Sequence, residues 1–163
     1  MIIIRTEMPE LTTPPETLID EFARACTGAG IAPTPQRRLI YRVLAESHDH
    51  PDAEAVYQRV RAHLPRVSLA TVYRNLRRFS DAGIIEEVAT GGASVRYDAN
   101  RHRHHHLVCN RCGRVSDFYS DRIDALRGDG DVARAAAGFD VEELKVSVYG
   151  VCSGCKQASQ PTK

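Results

Sequence analysis

The stretch His104-His-His-Leu-Val-Cys-Asn-Arg-Cys112 holds ligand-type side chains for two different metal sites within one short segment. Side chains alternate along a strand, so His104, His106 and Val108 project to one face while His105, Leu107 and Cys109 project to the other. One strand can thereby feed two metals, the first through imidazoles and the second through thiolates.

On the thiolate side, Cys109-x2-Cys112 has a counterpart far along the chain in Cys152-x2-Cys155. In a reducing compartment, two such knuckles read as one closed tetrahedral Zn(II) site and not as disulfides. Gly113 permits the tight turn after the first knuckle, and the metal staples the long segment between the pairs. A thioredoxin-like redox use is disfavoured by the duplication and by the lack of a βαβ context. The fifth cysteine, Cys26, falls on a predicted helix as a small buried hydrophobe. On the imidazole side, His104 and His106 need further partners. The candidates are Asp98, Asp117 and His50. Taken singly, each has an ordinary reading as a strand-end, solvated-strand or turn residue, and His105 faces away.

Upstream of the metal strand the chain reads as helices followed by a hairpin. Residues 1–15 carry little periodicity and form an N-terminal extension. Leu18, Ile19, Phe22 and Cys26 recur at helical spacing from Glu16. Thr34 caps a second helix that begins at Pro35 and buries Leu39, Ile40, Val43 and Leu44. A third runs from Asp52 to His63, burying Ala53, Val56, Tyr57 and Val60, and Pro65 stops it. The fourth spans Ser68 to Ala82 with Val72, Leu76 and Phe79 inward and Gly83 at its end. Ile84–Ala89 and Ser94–Asp98 are short strands around Thr90-Gly-Gly92.

This order makes residues 16–98 a winged helix-turn-helix with the fourth helix placed for the major groove. From Arg66 to Arg78 there are four arginines and no acid. Tyr73, Arg74, Arg77 and Arg78 lie off the apolar stripe and are candidate DNA contacts, against the plainer reading of a solvated charged face. Residues 99–163 form a second, mixed domain. It contains the metal strand, a return strand Arg114–Tyr119, helical stretches near Ile123–Leu126 and Val132–Ala137, and a strand Val141–Tyr149. Its core is small, so it needs a metal staple or a partner subunit. The fold class is α+β.

Composition narrows the partners. The 163 residues are 42% hydrophobic and 26% charged with a net charge of +1, which excludes a generally basic nucleic-acid coat and confines any DNA contact to a local patch. No apolar run reaches the length of about 18 residues that a membrane span needs, and Met1-Ile-Ile-Ile-Arg5 is too short for a signal peptide. The expected location is the cytoplasm, with no membrane partner.

Several ordered motifs, read together, resemble the ferric uptake regulator family. They are Thr34-Pro-Gln-Arg37, His50-Pro51, Ala70-Thr-Val-Tyr-Arg-Asn-Leu76, Arg96-Tyr-Asp98, His104-x-His106-x2-Cys109-x2-Cys112-Gly113 and Tyr149-Gly-Val-Cys152-x2-Cys155. The resemblance covers roughly residues 16–157 and is far more specific than any one motif. It implies a winged helix joined to a dimerisation domain, with Cys109, Cys112, Cys152 and Cys155 as structural zinc ligands. It implies His50, Asp98, His104, His106 and Asp117 as ligands of a regulatory Fe(II) or Mn(II), and Arg37 beside the recognition-helix residues as a DNA contact. The peroxide-sensing branch of that family carries three His and two Asp at the regulatory site, as here. A further site in some members uses a late histidine, and none follows His106.

The implied function is a metal-dependent, peroxide-sensing repressor that binds double-stranded operator DNA with inverted repeats as a homodimer and is not an enzyme. An iron- or manganese-responsive repressor of uptake genes is the nearest alternative. A metalloenzyme using His104, His106 and Asp98 lacks a placed general base and leaves the basic helix unexplained.

Overall fold

The computed structural model describes residues 15–90, 94–126, 130–141 and 144–158. Four helices come first: α1 (Pro15–Gly28), α2 (Pro35–Ala45), α3 (Ala53–His63) and α4 (Leu69–Asp81). Their starts are fixed by side-chain caps that satisfy otherwise orphaned amides. Thr34 accepts from the Arg37 amide at 3.4 Å, Asp52 from Ala55 at 2.9 Å and Ser68 from Thr71 at 3.2 Å. Gly83, at φ 65°, ends α4 in the left-handed region that favours glycine.

The helices close on a core in which Phe22 stacks on Tyr41 at 4.3 Å and meets Phe79 edge-on at 5.1 Å. Two core assignments differ from the sequence pattern. Leu39 is only half-buried and Tyr41 is fully enclosed in its place. The reason is that α2 packs against α1, α3 and α4 at once, so its buried arc is wider than a single stripe. Tyr57 is also half-buried, with the Arg61 guanidinium 5.9 Å from its ring centre.

The wing consists of β1 (Glu86–Val88) and β2 (Arg96–Asp98), antiparallel with Glu86 opposite Asp98. These strands are shorter than the sequence suggests because Ile84 and Ile85 are drawn into the helical core, both amides bonding to the Phe79 carbonyl. Two residues of the expected Thr90-Gly-Gly92 turn, and residues 1–14 of the extension, lie outside the described residues.

The rest of the chain builds a three-stranded sheet in the order β4-β3-β5, from β3 (His105–Cys109), β4 (Val115–Phe118) and β5 (Ser147–Gly150). Three short helices accompany it: α5 (Asp121–Ala125), α6 (Gly130–Ala135) and α7 (Ser153–Gln157). The last strand starts at Ser147 and not at Val141, and it pairs parallel to β3 with Gly150 beside Cys109. That register carries the second cysteine pair to the first. Only Val88, Val108 and Val115 cluster in the buried core here, and Val88 is a wing residue, so β1 packs on the sheet. With so little apolar area among the described residues, this half of the molecule needs a further staple or a partner subunit.

Candidate metal centres

Five side chains from four segments converge at the junction of wing and sheet. His50 comes from the loop between α2 and α3, Asp98 from the end of β2, His104 and His106 from β3 and its lead-in, and Asp117 from β4. One ligand atom from each lies within 4.8 Å of all the others. His50 Nε2 is 2.8 Å from Asp117 Oδ1, His104 Nε2 is 2.8 Å from Asp98 Oδ2, and the Nε2 atoms of His104 and His106 are 2.9 Å apart. Metal–ligand bonds of about 2.1 Å place adjacent octahedral donors about 3.0 Å apart and opposite donors about 4.2 Å apart, so the cluster has the right size.

Its chemistry fits too. His50 Nε2, Asp98 Oδ2 and Asp117 Oδ1 are buried, close together and yet without a hydrogen bond of acceptable geometry. They lie in ion-pair contact but make no well-formed hydrogen bond, and buried polar atoms left that way are costly unless a cation satisfies them. His50 itself has φ 46°, uncommon for a residue with a side chain, and such a conformation costs about 1–3 kcal/mol. The loop is held there by the Tyr97 amide donating to Pro51 O at 3.0 Å and by Arg96, whose guanidinium reaches the His50 carbonyl at 3.5 Å. Backbone strain at a convergent ligand is consistent with a functional constraint.

Electrostatics tells which protons occupy the cluster before a metal does. Burial works against charge on His50, but the carboxylates of Asp117 and Asp98 outweigh it and push its pKa up to about 9. His104 shifts upward against the same burial, through Asp98 and the His102 carbonyl. Burial likewise opposes ionisation of Asp98, yet His104, His106 and His50 hold its carboxyl well below the usual carboxylate range, and His50 does the same for Asp117. A proton on His50 therefore offsets carboxylate charge in the cluster, and a dication bound there would take over that role.

The four cysteines form the second set, with one sulfur from each within 4.8 Å of the rest. Tetrahedral Zn–S bonds of about 2.3 Å put sulfurs about 3.8 Å apart, and Cys112 Sγ and Cys152 Sγ are 3.8 Å apart. The Cys152 amide donates to Cys109 Sγ at 3.3 Å and, with the amides of Cys112 and Arg111, lowers that thiol to about 6. Cys155 is pushed up to about 12 by the neighbouring sulfurs of Cys112 and Cys152. Four sulfurs gathered at this spacing offer a tetrahedral shell for a cation, and the set fits structural zinc. Gly113, at φ 66°, makes the turn that returns its amide to Cys109 O at 2.9 Å. Cys26 is fully buried in the helical core, away from both sets.

On α4, Tyr73, Arg74 and Arg77 share one exposed helical face, with Arg78 beside them. Arg37 is placed differently. Its guanidinium donates to Asn75 at 3.0 Å and to the Ala32 carbonyl at 2.7 Å, bracing α2 against α4. His105 points away from the His/Asp cluster as the alternation demands, with its ring against Phe118 and its Nε2 3.7 Å from Asp124 Oδ1.

The residue that sequence reading passed over is Asn100. It takes part through its own amide in holding Asp98 and Asp117. The available signal was the spacing Asp98-x-Asn100-x-His102, which suits consecutive Asx turns.

A winged helix joined to a mixed sheet domain, carrying one thiolate set and one imidazole–carboxylate set, defines the class of metal-responsive repressors. Residues 28–149 match the ferric uptake regulator family. The peroxide-responsive repressor PerR of Staphylococcus epidermidis is 39% identical over 139 residues, spanning 85% of this chain and 91% of that protein. A zinc-bound manganese uptake regulator superimposes with a TM-score of 0.61 at 35% identity, over 83% of this chain and 98% of that one. The Campylobacter jejuni peroxide stress regulator does so with a TM-score of 0.63 at 28% identity, over 85% and 98%. The chain belongs to the ferric uptake regulator family. It is a metal-dependent repressor of that family, and no helix among the described residues is long and apolar enough to cross a membrane.

A metal held by these residues would have to displace protons, and the sign follows from the raised histidines. His50, with its pKa near 9, is protonated at neutral pH, whereas a ligand imidazole must be neutral. Mn(II) affinity will therefore rise with pH, by roughly tenfold per unit for the His50 proton up to about pH 9. Calorimetry in buffers of different ionisation enthalpy will show proton release on binding. Affinity that does not change between about pH 6 and pH 8 would contradict this electrostatic account.

Proposed function

We propose that this protein is a peroxide-responsive, metal-dependent repressor of transcription. His50, Asp98, His104, His106 and Asp117 hold the regulatory Fe(II) or Mn(II), and Cys109, Cys112, Cys152 and Cys155 hold structural zinc. Residues 16–98 act as the DNA-binding domain and 99–163 as the dimerisation domain. The observation that carries the reading is the composition and placement of the five-residue cluster. Three imidazoles and two carboxylates bridge the wing and the sheet, and relatives similar over most of the chain are named peroxide-responsive repressors.

The residues perform three tasks. Asp98 and Asp117 neutralise a dication, while His50 on one side and His104 and His106 on the other bind it, so that the DNA-binding domain is fixed against the rest. Preferential binding to the clamped arrangement shifts the population toward it. Clamping in a homodimer sets the two α4 helices about 34 Å apart or at a related spacing, which suits an operator of inverted repeats. Tyr73, Arg74, Arg77 and Arg78 face that DNA, with Arg37 supporting α4 from behind and contributing at its edge. Fe(II) held by these residues would supply the one-electron chemistry that activates peroxide; in the net two-electron oxidation a ligand imidazole, His104 or His50, would give up the electrons and gain one peroxide oxygen, the other leaving as water. An oxidised imidazole binds metal poorly, so the clamp opens. No turnover is involved; the protein works in the cytoplasm as a regulator and not as an enzyme.

A second reading, a sensor of manganese or iron level without peroxide chemistry, is favoured by the likeness to the zinc-bound manganese uptake regulator. The zinc-loaded protein separates the two. Operator binding with Fe(II), but not with Mn(II), should be lost after a brief low dose of peroxide, with a mass gain of one oxygen atom on the peptide containing His104 or on that containing His50. Binding that survives peroxide with both metals would establish the metal-level sensor. Arg74→Ala should weaken operator binding by about 1–3 kcal/mol and relax discrimination at one base position if the guanidinium reads a base edge. A change confined to the salt dependence would move Arg74 to a phosphate contact.

A further inference from the structure

Asn100 lies on the link between β2 and β3, where the wing passes into the sheet domain, and most of its hydrogen-bonding groups are committed. Its backbone amide donates to Asp98 Oδ1 at 2.7 Å. Its side-chain Nδ2 donates to Asp117 Oδ2 at 2.8 Å and to the Tyr119 hydroxyl at 3.0 Å. Its Oδ1 accepts from the His102 amide at 3.1 Å. The orientation of the side-chain amide is fixed by these partners, since an ionised carboxylate only accepts and a backbone N–H only donates. The contacts continue to a third residue of the cluster. The His102 carbonyl sits 2.7 Å from His104 Nδ1, which leaves His104 Nε2 directed at the centre.

The result is a division of labour within each carboxylate. Asp98 Oδ1 and Asp117 Oδ2 are occupied by Asn100, whereas Asp98 Oδ2 and Asp117 Oδ1 face the cluster without a hydrogen bond. Carboxylates bind metals through one oxygen or both, and a side chain free to turn can switch between the two modes. Five donors leave an octahedral ion one position, which a second oxygen from either aspartate would fill.

We propose that Asn100 is a positioning residue that restricts both aspartates to one-oxygen ligation and so keeps the remaining coordination position open to a small exogenous ligand. This rests on the reading of the five-residue cluster as a metal site. Asp98 is restrained through the Asn100 backbone, so side-chain variants act on Asp117. The link joining the two halves of the protein thus also determines whether the bound ion can be approached from solution.

The test uses the full-length zinc-loaded protein with Co(II) in the second site and azide as the probe, followed by visible absorption. The wild type should show a saturable spectral change with azide. In Asn100→Ala, Asp117 is free to close on the metal, and azide affinity should fall by about tenfold or more while Co(II) remains bound. Asn100→Asp keeps an oxygen for the His102 amide and the backbone bond to Asp98 but removes the donor to Asp117, and should show the same loss. If the alanine variant fails to fold, the aspartate variant decides alone. A wild-type Co(II) spectrum indifferent to azide, variants that bind azide as the wild type does, or loss of Co(II) from both variants would overturn the proposal. The readout involves neither peroxide nor DNA, so it stands apart from the sensing reaction. Failure of the wild type to take up Co(II) beyond its zinc would instead remove the metal site itself.

Discussion

The carboxylates of buried Asp98 and half-buried Asp117 approach closely enough that positive charge must stand between them. In the absence of metal that charge comes from imidazolium protons, held on His50 at a pKa near 9. A dication that displaces the His50 proton keeps positive charge between the two carboxylates. What changes is geometry. Protons satisfy pairs of atoms, whereas a metal satisfies all five donors from a single centre, and those donors come from the helical loop, the wing and the sheet. The strained backbone of His50 and the bonds of Arg96 and Tyr97 to its loop keep that segment in place for either occupant.

The two metal sites divide the work according to their donors. Four thiolates make a closed shell in which the sulfur spacing already matches tetrahedral zinc, and the parallel register of β3 and β5 delivers the distant cysteine pair to the first. Because the buried apolar cluster of the sheet domain is small, that shell stabilises the platform on which His104, His106 and Asp117 stand. The imidazole–carboxylate set is hard enough for Mn(II) or Fe(II) and sits where two packing units meet. The first set fits structural zinc and the second fits a regulatory metal.

Much of this could be read from the chain because the decisive signals were local. Alternation along His104–Cys109 placed His105 on the face opposite His104 and His106, and the structure has its ring by Phe118 and Asp124. Capping residues Thr34, Asp52 and Ser68 marked helix starts to within a residue. What periodicity could not show was tertiary. Tyr41 replaces Leu39 in the core because three helices surround α2, and the last strand shrinks to Ser147–Gly150 as the register with β3 requires. Arg37 braces α4 through Asn75, a contact across distant positions that no motif spells out. Asn100 was passed over for a related reason, since its spacing to Asp98 and His102 signals turns but not the contact to Asp117. Asparagine in a link is ordinary, and its role arises only when Asp117 is brought within 2.8 Å of its amide.

If one dication ties the winged helix to the sheet domain through His50, removing that imidazole cuts the tie. The most direct measurement is operator affinity of His50→Ala, zinc retained and dimer state verified, titrated with Mn(II) beside the wild type. The account predicts that the wild type tightens its grip on the operator as Mn(II) is added, whereas the variant stays at its metal-free affinity with zinc content and dimerisation unchanged. Operator binding by His50→Ala that responds to Mn(II) as the wild type does would contradict the clamp.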